Sequence, residues 1–352
     1  MNTSIILYNI VTMEENMKFL KTCFVLTIAL LMTFSLFAGG QRAAGGSTDG
    51  KVALTFAGTE GATAGQSRMM MEVAETLNAS GHFDVRVYVA GALPGDTDNL
   101  VTQARLGVNL VVPSDPGRLA SQFNIPDLNI LMAPYILTDY RVLERLPQTD
   151  LYKQWQSQLE AQGIVLVANM FNGFRDFYTN RAINTVQDLS GLRIRGFGNN
   201  IGMALARYFG FAQITMGASD IYAGIQSRAI DGTEIQASFA NSNRLYEVTS
   251  NMALTRHYML QSSFVMGKPL LDSMTPANRD FFLKTVNDAS TKWSRIIAEE
   301  EEGIINGFRT RGMTVTEVNL VQFQNAIAPL YSNNDLQLSP GLRDTLFRQL
   351  GL

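Results

Sequence analysis

Two arginines stand in uncharged surroundings where they could bind an anion. Arg175 lies in residues 171–178, which read FNGFRDFY, among four aromatic side chains. Arg195 lies in residues 191–198, which read GLRIRGFG, at the end of a short strand pattern and directly before a glycine. A guanidinium held beside aromatic walls can bind a carboxylate through two parallel hydrogen bonds. The alternative is a pair of surface arginines in salt bridges, and the pattern alone leaves both interpretations open.

The sequence contains no established catalytic motif. It has no G-x-S-x-G elbow, no Walker loop, no H-E-x-x-H and no G-x-G-x-x-G pattern. The two histidines, His82 and His257, are far apart in the chain and are expected to be structural. Asp231 and Glu234 could do acid–base work, but no activated nucleophile accompanies them. With one cysteine, Cys23, the chain has no disulfide framework or His/Cys zinc set. We therefore expect no enzymatic activity, no metal and no cofactor.

The composition is that of a globular protein that does not bind nucleic acid. A chain of 352 residues, 46% of them hydrophobic, can bury the core of one large domain or two ordinary ones. Lysine and arginine number 28 against 31 aspartates and glutamates, so the formal net charge is -3. Because no basic excess is available to neutralise phosphates, nucleic acid is not an expected partner.

Residues 17–40 have the pattern of a secretory signal peptide. Lys18 and Lys21 form a positive n-region, residues 23–37 form an apolar run, and residues 38–40 are small, as a cleavage site requires. The apolar run is shorter than the roughly 20 residues that a membrane-spanning helix needs; an uncleaved anchor is the alternative. No cysteine follows the run, so a lipoprotein is not expected. These features predict a periplasmic protein.

Strand and helix patterns alternate along the rest of the chain. Strands are predicted at residues 52–57, 83–89, 108–112 (stopped by Pro113) and 164–169, and helices at residues 64–78, 97–106 and 154–162. Strands that alternate with helices predict parallel βαβ units and therefore an α/β fold.

One helix is predicted to be unusually long. Thr275 and Pro276 provide an N-cap and a proline at the first helical position. Apolar residues then recur at helical spacing as far as Phe308, and Gly312 is a natural end. A helix of about 35 residues is about 50 Å long. That length exceeds one small domain, so the helix is predicted to span two lobes.

Residues 189–257 resemble the solute-binding receptors of TRAP (tripartite ATP-independent periplasmic) transporters. The family has a G-L-[KR]-[IL]-R strand, a helix S-[ED]-[VI]-Y-x-x-[LI]-Q-x-x-x-[VI]-D-G followed by x-E, and K-L-Y-E-V nearby. Here residues 191–195 read GLRIR, residues 219–234 read SDIYAGIQSRAIDGTE and residues 244–248 read RLYEV. Further similarity at the segments 132–135, 173–175 and 180–183 extends the resemblance over nearly the whole mature chain.

The resemblance implies a periplasmic-binding-protein-like fold of two α/β lobes, with a ligand cleft between the lobes, hinged closure and the long lobe-spanning helix. By analogy with the family, lobe I is expected at 51–172 plus 261–299, and lobe II at 173–260 plus 300–352. A flexible lead-in at 41–50 would precede them.

The resemblance also implies a receptor that binds a small organic acid and delivers it to the membrane subunits of a TRAP transporter. Arg195 matches the position that grips the ligand carboxylate, Arg175 a second ligand-facing arginine, and Asp115 a polar contact after the third strand. The expected ligand-binding set is completed by Phe174, Phe197, Ala218, Glu234 and Ile235.

Three departures from the family pattern concern the ligand. Ile235-Gln236 stands where many members have Asn-Pro, Ala218 stands where many have phenylalanine, and Gly196-Phe197 replaces the usual proline after the arginine of the strand motif. These changes predict a carboxylate with a more apolar body than a sugar acid. A sensing module that feeds a signalling partner, and an exported enzyme on the same scaffold, are the alternative functions.

Overall fold

One strand of 16 residues, β4 (Ile164–Thr179), runs through two β-sheets and joins them. The protein is represented by a computed structural model that describes residues 50–196 and 198–352. The predicted signal peptide at 17–40, and the predicted lead-in apart from Gly50, lie outside the described residues. Almost every residue of β4 is buried, because other strands pair along its edges and helices pack against it.

The remaining elements follow in chain order. The other strands are β1 (Val52–Ala57), β2 (Phe83–Tyr88), β3 (Leu110–Ser114), β5 (Arg193–Gly196), β6 (Ala212–Thr215), β7 (Gly232–Gln236), β8 (Asn251–Leu254), β9 (Met259–Gly267) and β10 (Thr314–Glu317). The helices are α1 (Gly65–Ala79), α2 (Thr97–Arg105), α3 (Pro116–Gln122), α4 (Val142–Arg145), α5 (Asp150–Glu160), α6 (Asn200–Phe209), α7 (Ile221–Gln226), α8 (Ala237–Ser242), α9 (Lys268–Asp272), α10 (Pro276–Thr310), α11 (Leu320–Ile327), α12 (Pro329–Ser332) and α13 (Leu342–Leu350).

The strands pair in two groups that share β4. Sheet I has the order β2-β1-β3-β9-β4, and sheet II has the order β6-β5-β7-β4-β8-β10. The β1–β2, β1–β3, β5–β6 and β5–β7 pairs are parallel, which confirms the predicted βαβ units. The β9 and β4 strands run antiparallel to their neighbours, so each sheet is mixed.

Two strands continue beyond their predicted C-terminal ends. The strand predicted at 164–169 continues to Thr179, because β9 pairs with its first part and β7 and β8 pair with its last part. Pro113 does not stop β3, which continues to Ser114. Since β1 pairs with β3 only through Leu110 and Val111, one side of β3 is already without a partner at Pro113, and the missing amide proton is tolerated there.

The long helix α10 confirms the prediction in length and in N-terminal chemistry. It has 35 residues, and the Thr275 hydroxyl accepts a hydrogen bond from the Asn278 amide. Its first part, with Phe282 and Trp293, packs in a core shared with sheet I, whereas Ile305 and Phe308 pack in a second core beneath sheet II. The helix therefore spans both sheets. The residue boundaries of the two lobes stay a prediction.

Gly232 and Gly303 provide a matched test of the packing between β4 and β7. A Cβ at Gly232 would lie 2.3 Å from the Tyr178 backbone oxygen, and that oxygen belongs to the β4–β7 ladder. A Cβ at Gly303 in α10 would meet no described atom within 4 Å. Gly232→Ala should lower the free energy of unfolding by about 1–3 kcal/mol, and Gly303→Ala should raise it by up to about 1 kcal/mol. Urea denaturation measures both; equal effects would contradict the tight packing at Gly232.

Candidate functional site

A cavity of about 770 Å³ lies between the strand ends of sheet I and those of sheet II. Segments that follow β1 and β3 form one wall, segments at the ends of β5, β6 and β7 form the opposite wall, and the middle of β4 and the start of β9 close the base. Parallel strands bring their carboxyl ends to one edge of a sheet, which is the usual place for a ligand site in α/β proteins. The volume suits a small molecule.

Arg195 lies in β5 in the wall of this cavity and is only 3% exposed. Its Nε and Nη2 atoms donate to the backbone carbonyl of Met216, at 3.3 and 3.2 Å, which fixes the plane of the guanidinium. Burial, together with the like charge of Arg175, lowers the pKa of Arg195 to about 10. Because both effects oppose its positive charge, an anion beside Arg195 would be stabilised.

Arg175 lines the same cavity from β4 and is fully buried. Its Nε atom forms an ion pair with Glu234, its Nη2 atom donates to the Glu234 backbone carbonyl, and its Nη1 atom lies 3.4 Å from the Gln236 side-chain oxygen. Its guanidinium also lies 5.5 Å from the centre of the Tyr258 ring. The interpretation of the two arginines as surface residues is therefore wrong, because Arg175 is fully buried and Arg195 is only 3% exposed.

Glu234 does not line the cavity and lies behind Arg175. Burial opposes its ionisation, but the charge of Arg175 and hydrogen bonds from His257 and Arg175 outweigh that effect and lower the pKa of Glu234 to about 2. The His257 Nε2 atom lies 3.4 Å from the carboxylate, and its Nδ1 atom lies 2.8 Å from the Thr255 hydroxyl. Glu234 thus positions Arg175, and His257 is buried between Glu234 and Thr255.

The other predicted site residues separate into two groups. Asp115, Ala218 and Ile235 line the cavity. Asp115 caps α3 by accepting from the Arg118 amide at 2.9 Å, and its carboxylate pairs with the Arg118 side chain at 3.1 Å. Burial raises the pKa of Asp115, and the charge of Arg118 opposes that rise.

Phe174 does not reach the cavity, and Phe197 lies outside the described residues. Gly173 has a φ of +103°, and the β4–β9 register shifts between Phe171 and Phe174. The Phe174 ring consequently packs against Phe171 and lies under the Arg256 guanidinium, at 5.7 Å from its centre, beside a separate surface depression. A local bulge of this kind leaves no periodic signal in the sequence.

Sequence reasoning missed Glu60, Asn172 and Gln236, which line the cavity and contact one another. Asn172 and Gln236 each donate a hydrogen bond of 2.7 Å to Glu60. The position of Glu60 in the segment that follows β1, three residues after Ala57, is a signal that could have found it. Gln236 lines the cavity beside Ile235, and the more apolar ligand stays a prediction.

Within residues 50–196 and 198–352, no cluster of His, Cys, Asp or Glu side chains could hold a metal ion. None of the helices in this part of the chain is both long enough and apolar enough to cross a membrane.

Replacing Glu234 should expose the cost of burying Arg175. Glu234→Gln keeps the shape but removes the charge, so it should lower the free energy of unfolding by about 3–5 kcal/mol. The control Glu300→Gln removes the partner of Arg68, in a pair whose side chains are 38% and 41% exposed. This control should change the free energy of unfolding by less than about 1 kcal/mol.

The contribution of Glu234 to stability should also depend on pH. Because the pKa of Glu234 lies below its ordinary value of 4.5, this contribution is complete above pH 4.5 and is lost as the pH falls toward 2. Denaturant titrations at pH 7 and pH 3.5 measure this, and equal losses in the two variants would contradict it.

Comparison with known proteins identifies the family. Residues 59–335 match the bacterial extracellular solute-binding proteins, family 7 (DctP). The sialic acid-binding periplasmic protein SiaP of Vibrio cholerae is 24% identical over 270 residues, which cover 76% of this chain and 83% of that protein. The C4-dicarboxylate-binding periplasmic protein DctP of Rhodobacter capsulatus is 26% identical over 237 residues, covering 67% and 70%.

Solved structures share the fold. A TRAP periplasmic solute binding protein of Actinobacillus succinogenes with bound L-galactonate superposes with a TM-score of 0.80 at 23% identity, covering 85% of this chain and 99% of that one. One from Xanthobacter autotrophicus with bound β-D-galacturonate gives 0.77 at 21% identity, covering 85% and 99%. Because the family match covers most of the chain, the protein belongs to family 7 of the bacterial extracellular solute-binding proteins (DctP).

Proposed function

We propose that the protein binds a small organic acid in the cavity between the two sheets and delivers it to the membrane subunits of a TRAP transporter. The observation that carries this proposal is the presence of two buried arginines, Arg195 and Arg175, in the wall of one cavity of about 770 Å³. Relatives that bind sialic acid and C4-dicarboxylates support an acidic ligand.

Arg195 is the residue proposed to hold the ligand carboxylate. A buried guanidinium keeps its charge where a lysine could lose its proton, and its planar fork matches the two oxygens of a carboxylate. Arg175 already has an ion pair with Glu234, so its contribution to the ligand is smaller. Asp115, Ala218 and Ile235 complete the proposed wall, and Glu234 acts through Arg175.

Export by the signal peptide at 17–40 remains part of the proposal, and the relatives named above are periplasmic proteins. Two alternative functions differ from transport in the step after binding. A sensing module would use the same cavity but would not support uptake by vesicles that contain the membrane subunits. An enzyme would turn over the bound acid, and a binding protein returns it unchanged.

Arg195→Ala should weaken binding of the acid by about 2–5 kcal/mol, because the carboxylate loses its charged partner in a buried site. Arg195→Lys should restore only part of this loss, since the two-pronged contact is gone. The matched control is Arg193→Ala, two residues earlier in β5, where the arginine is 44% exposed and pairs with Asp231 outside the cavity. Calorimetry with the acid that co-purifies, identified by mass spectrometry, measures all three. Unchanged affinity in Arg195→Ala would refute the assignment.

Closure of the cavity around the acid should accompany binding. The connections between the two sheets are few, namely β4, the segment between β8 and β9, and α10, which is the arrangement that a hinge requires. Excluding water also strengthens an arginine–carboxylate pair. Small-angle scattering should therefore show a smaller radius of gyration with saturating acid. An unchanged radius at full occupancy would contradict hinged closure.

A further inference from the structure

Glu60 is a buried carboxyl group in the cavity wall that the binding of a carboxylate by Arg195 does not explain. It lies in the segment between β1 and α1 and is 5% exposed. Its backbone carbonyl accepts hydrogen bonds from the Ala90 amide at 2.7 Å and from the Ser67 hydroxyl at 3.1 Å. The main chain at Glu60 is therefore held in place before any ligand binds.

The two oxygens of the Glu60 carboxyl group have different surroundings. Oε1 accepts two hydrogen bonds, from Asn172 Nδ2 and Gln236 Nε2, each of 2.7 Å. Oε2 is buried and accepts no hydrogen bond from any residue within the described ranges. Buried polar atoms in proteins usually have a hydrogen-bond partner. Since Glu60 lines the cavity, a bound ligand can supply one.

The surroundings of Glu60 also set its charge. Burial raises the pKa of Glu60 to about 7, against the hydrogen bond from Asn172, the charge of Arg175 and the hydrogen bond from Gln236. Arg175 on β4 is the charged group that acts on it; Gln236 on β7, Asn172 on β4 and Ser67 on α1 are uncharged. The ionised and protonated forms are therefore both present near neutral pH, and the ionised form is the stronger acceptor.

We propose that Glu60 determines specificity, with Oε2 accepting a hydrogen bond from a hydroxyl or ammonium group on the body of the acid whose carboxylate Arg195 holds. The proposal rests on the function proposed above and narrows the ligand to hydroxy or amino acids. An alkyl acid would displace water from Oε2 without supplying a hydrogen bond in its place. Because an ionised carboxylate without that hydrogen bond is costly to bury, the alkyl acid would favour the protonated form of Glu60.

Matched acids at two pH values test this proposal. Calorimetry would compare threonate with butyrate and galactonate with hexanoate, and would use 4-aminobutyrate to distinguish an ammonium from a hydroxyl donor, at pH 5.5 and 8.5. All of these carboxylates are ionised in that range. At pH 8.5 at least one donor-bearing acid should bind about tenfold or more tightly than its alkyl partner, the gain of one good hydrogen bond. From pH 5.5 to 8.5 its affinity should rise, whereas that of the alkyl acid should fall.

Two variants assign the pH dependence to Glu60. Glu60→Gln keeps the carbonyl oxygen for Asn172 and Gln236 but places a donor at the position of Oε2, so the preference and both pH slopes should disappear. Asp176→Asn is the matched control, because burial raises the pKa of Asp176 to about 8 and its side chain does not line the cavity. This variant should keep the wild-type slopes. Thermal unfolding verifies that both variants are folded.

The outcomes separate this inference from the function on which it rests. Acids that bind through Arg195 with no preference for donors, or with pH slopes unchanged in Glu60→Gln, would overturn the role of Glu60 and leave acid binding intact. Failure of every acid to bind the wild-type protein would overturn the proposed function, and the role of Glu60 with it. A preference that is lost in Glu60→Gln and retained in Asp176→Asn would establish the role.

Discussion

The buried ion pair between Arg175 and Glu234 is the interaction on which the geometry of the site depends. Both side chains are removed from water, which penalises each charge, and the pair persists because each supplies the charge and hydrogen bonds that the other needs. Arg175 belongs to β4 and Glu234 to β7, which are neighbouring antiparallel strands. The pair therefore fixes the side chains of these strands as well as their backbones, at the place where β4 enters sheet II.

The electrostatics of the cavity depend on that pairing. Glu234 compensates the charge of Arg175 from behind, and Arg118 compensates that of Asp115 in the opposite wall. Arg195 lies in the same wall as β7, and burial together with the like charge of Arg175 opposes its positive charge. An anion that enters the cavity thus meets a cation that is poorly solvated, and their attraction is weakly screened.

The two sheets are connected both by the chain and across the cavity. The strand β4 takes part in both sheets, the helix α10 packs against both, and each has residues in both cores. The hydrogen bond from Gln236 to Glu60 crosses the cavity, since Gln236 ends β7 of sheet II and Glu60 follows β1 of sheet I. Polar contacts of this type could form and break in the proposed closure at a small net free energy, because water would replace them when the cavity opens.

Local patterns in the sequence were sufficient to predict the fold class, the long helix and the family. Alternating strand and helix patterns indicated the α/β class, and the Thr275 cap with its apolar spacing indicated α10 and its length. The glycine after Arg195 and the aromatic residues around Arg175 indicated these two arginines as candidate anion-binding residues. The motifs around residues 191–234 indicated the family. Each of these signals lies within a short stretch of chain, where the period of a helix or strand and the chemistry of a cap act directly.

The meeting of distant side chains was set by the tertiary structure alone. It placed Glu234 behind Arg175, turned Phe174 away through the bulge at Gly173, and brought Glu60 to Asn172 and Gln236 from positions 112 and 176 residues away. It also carried β4 ten residues beyond its predicted end, because strands from distant parts of the chain pair with it. Contacts between distant residues depend on strand register and on which faces of the sheets are buried. A short stretch of sequence determines neither the register nor the buried face.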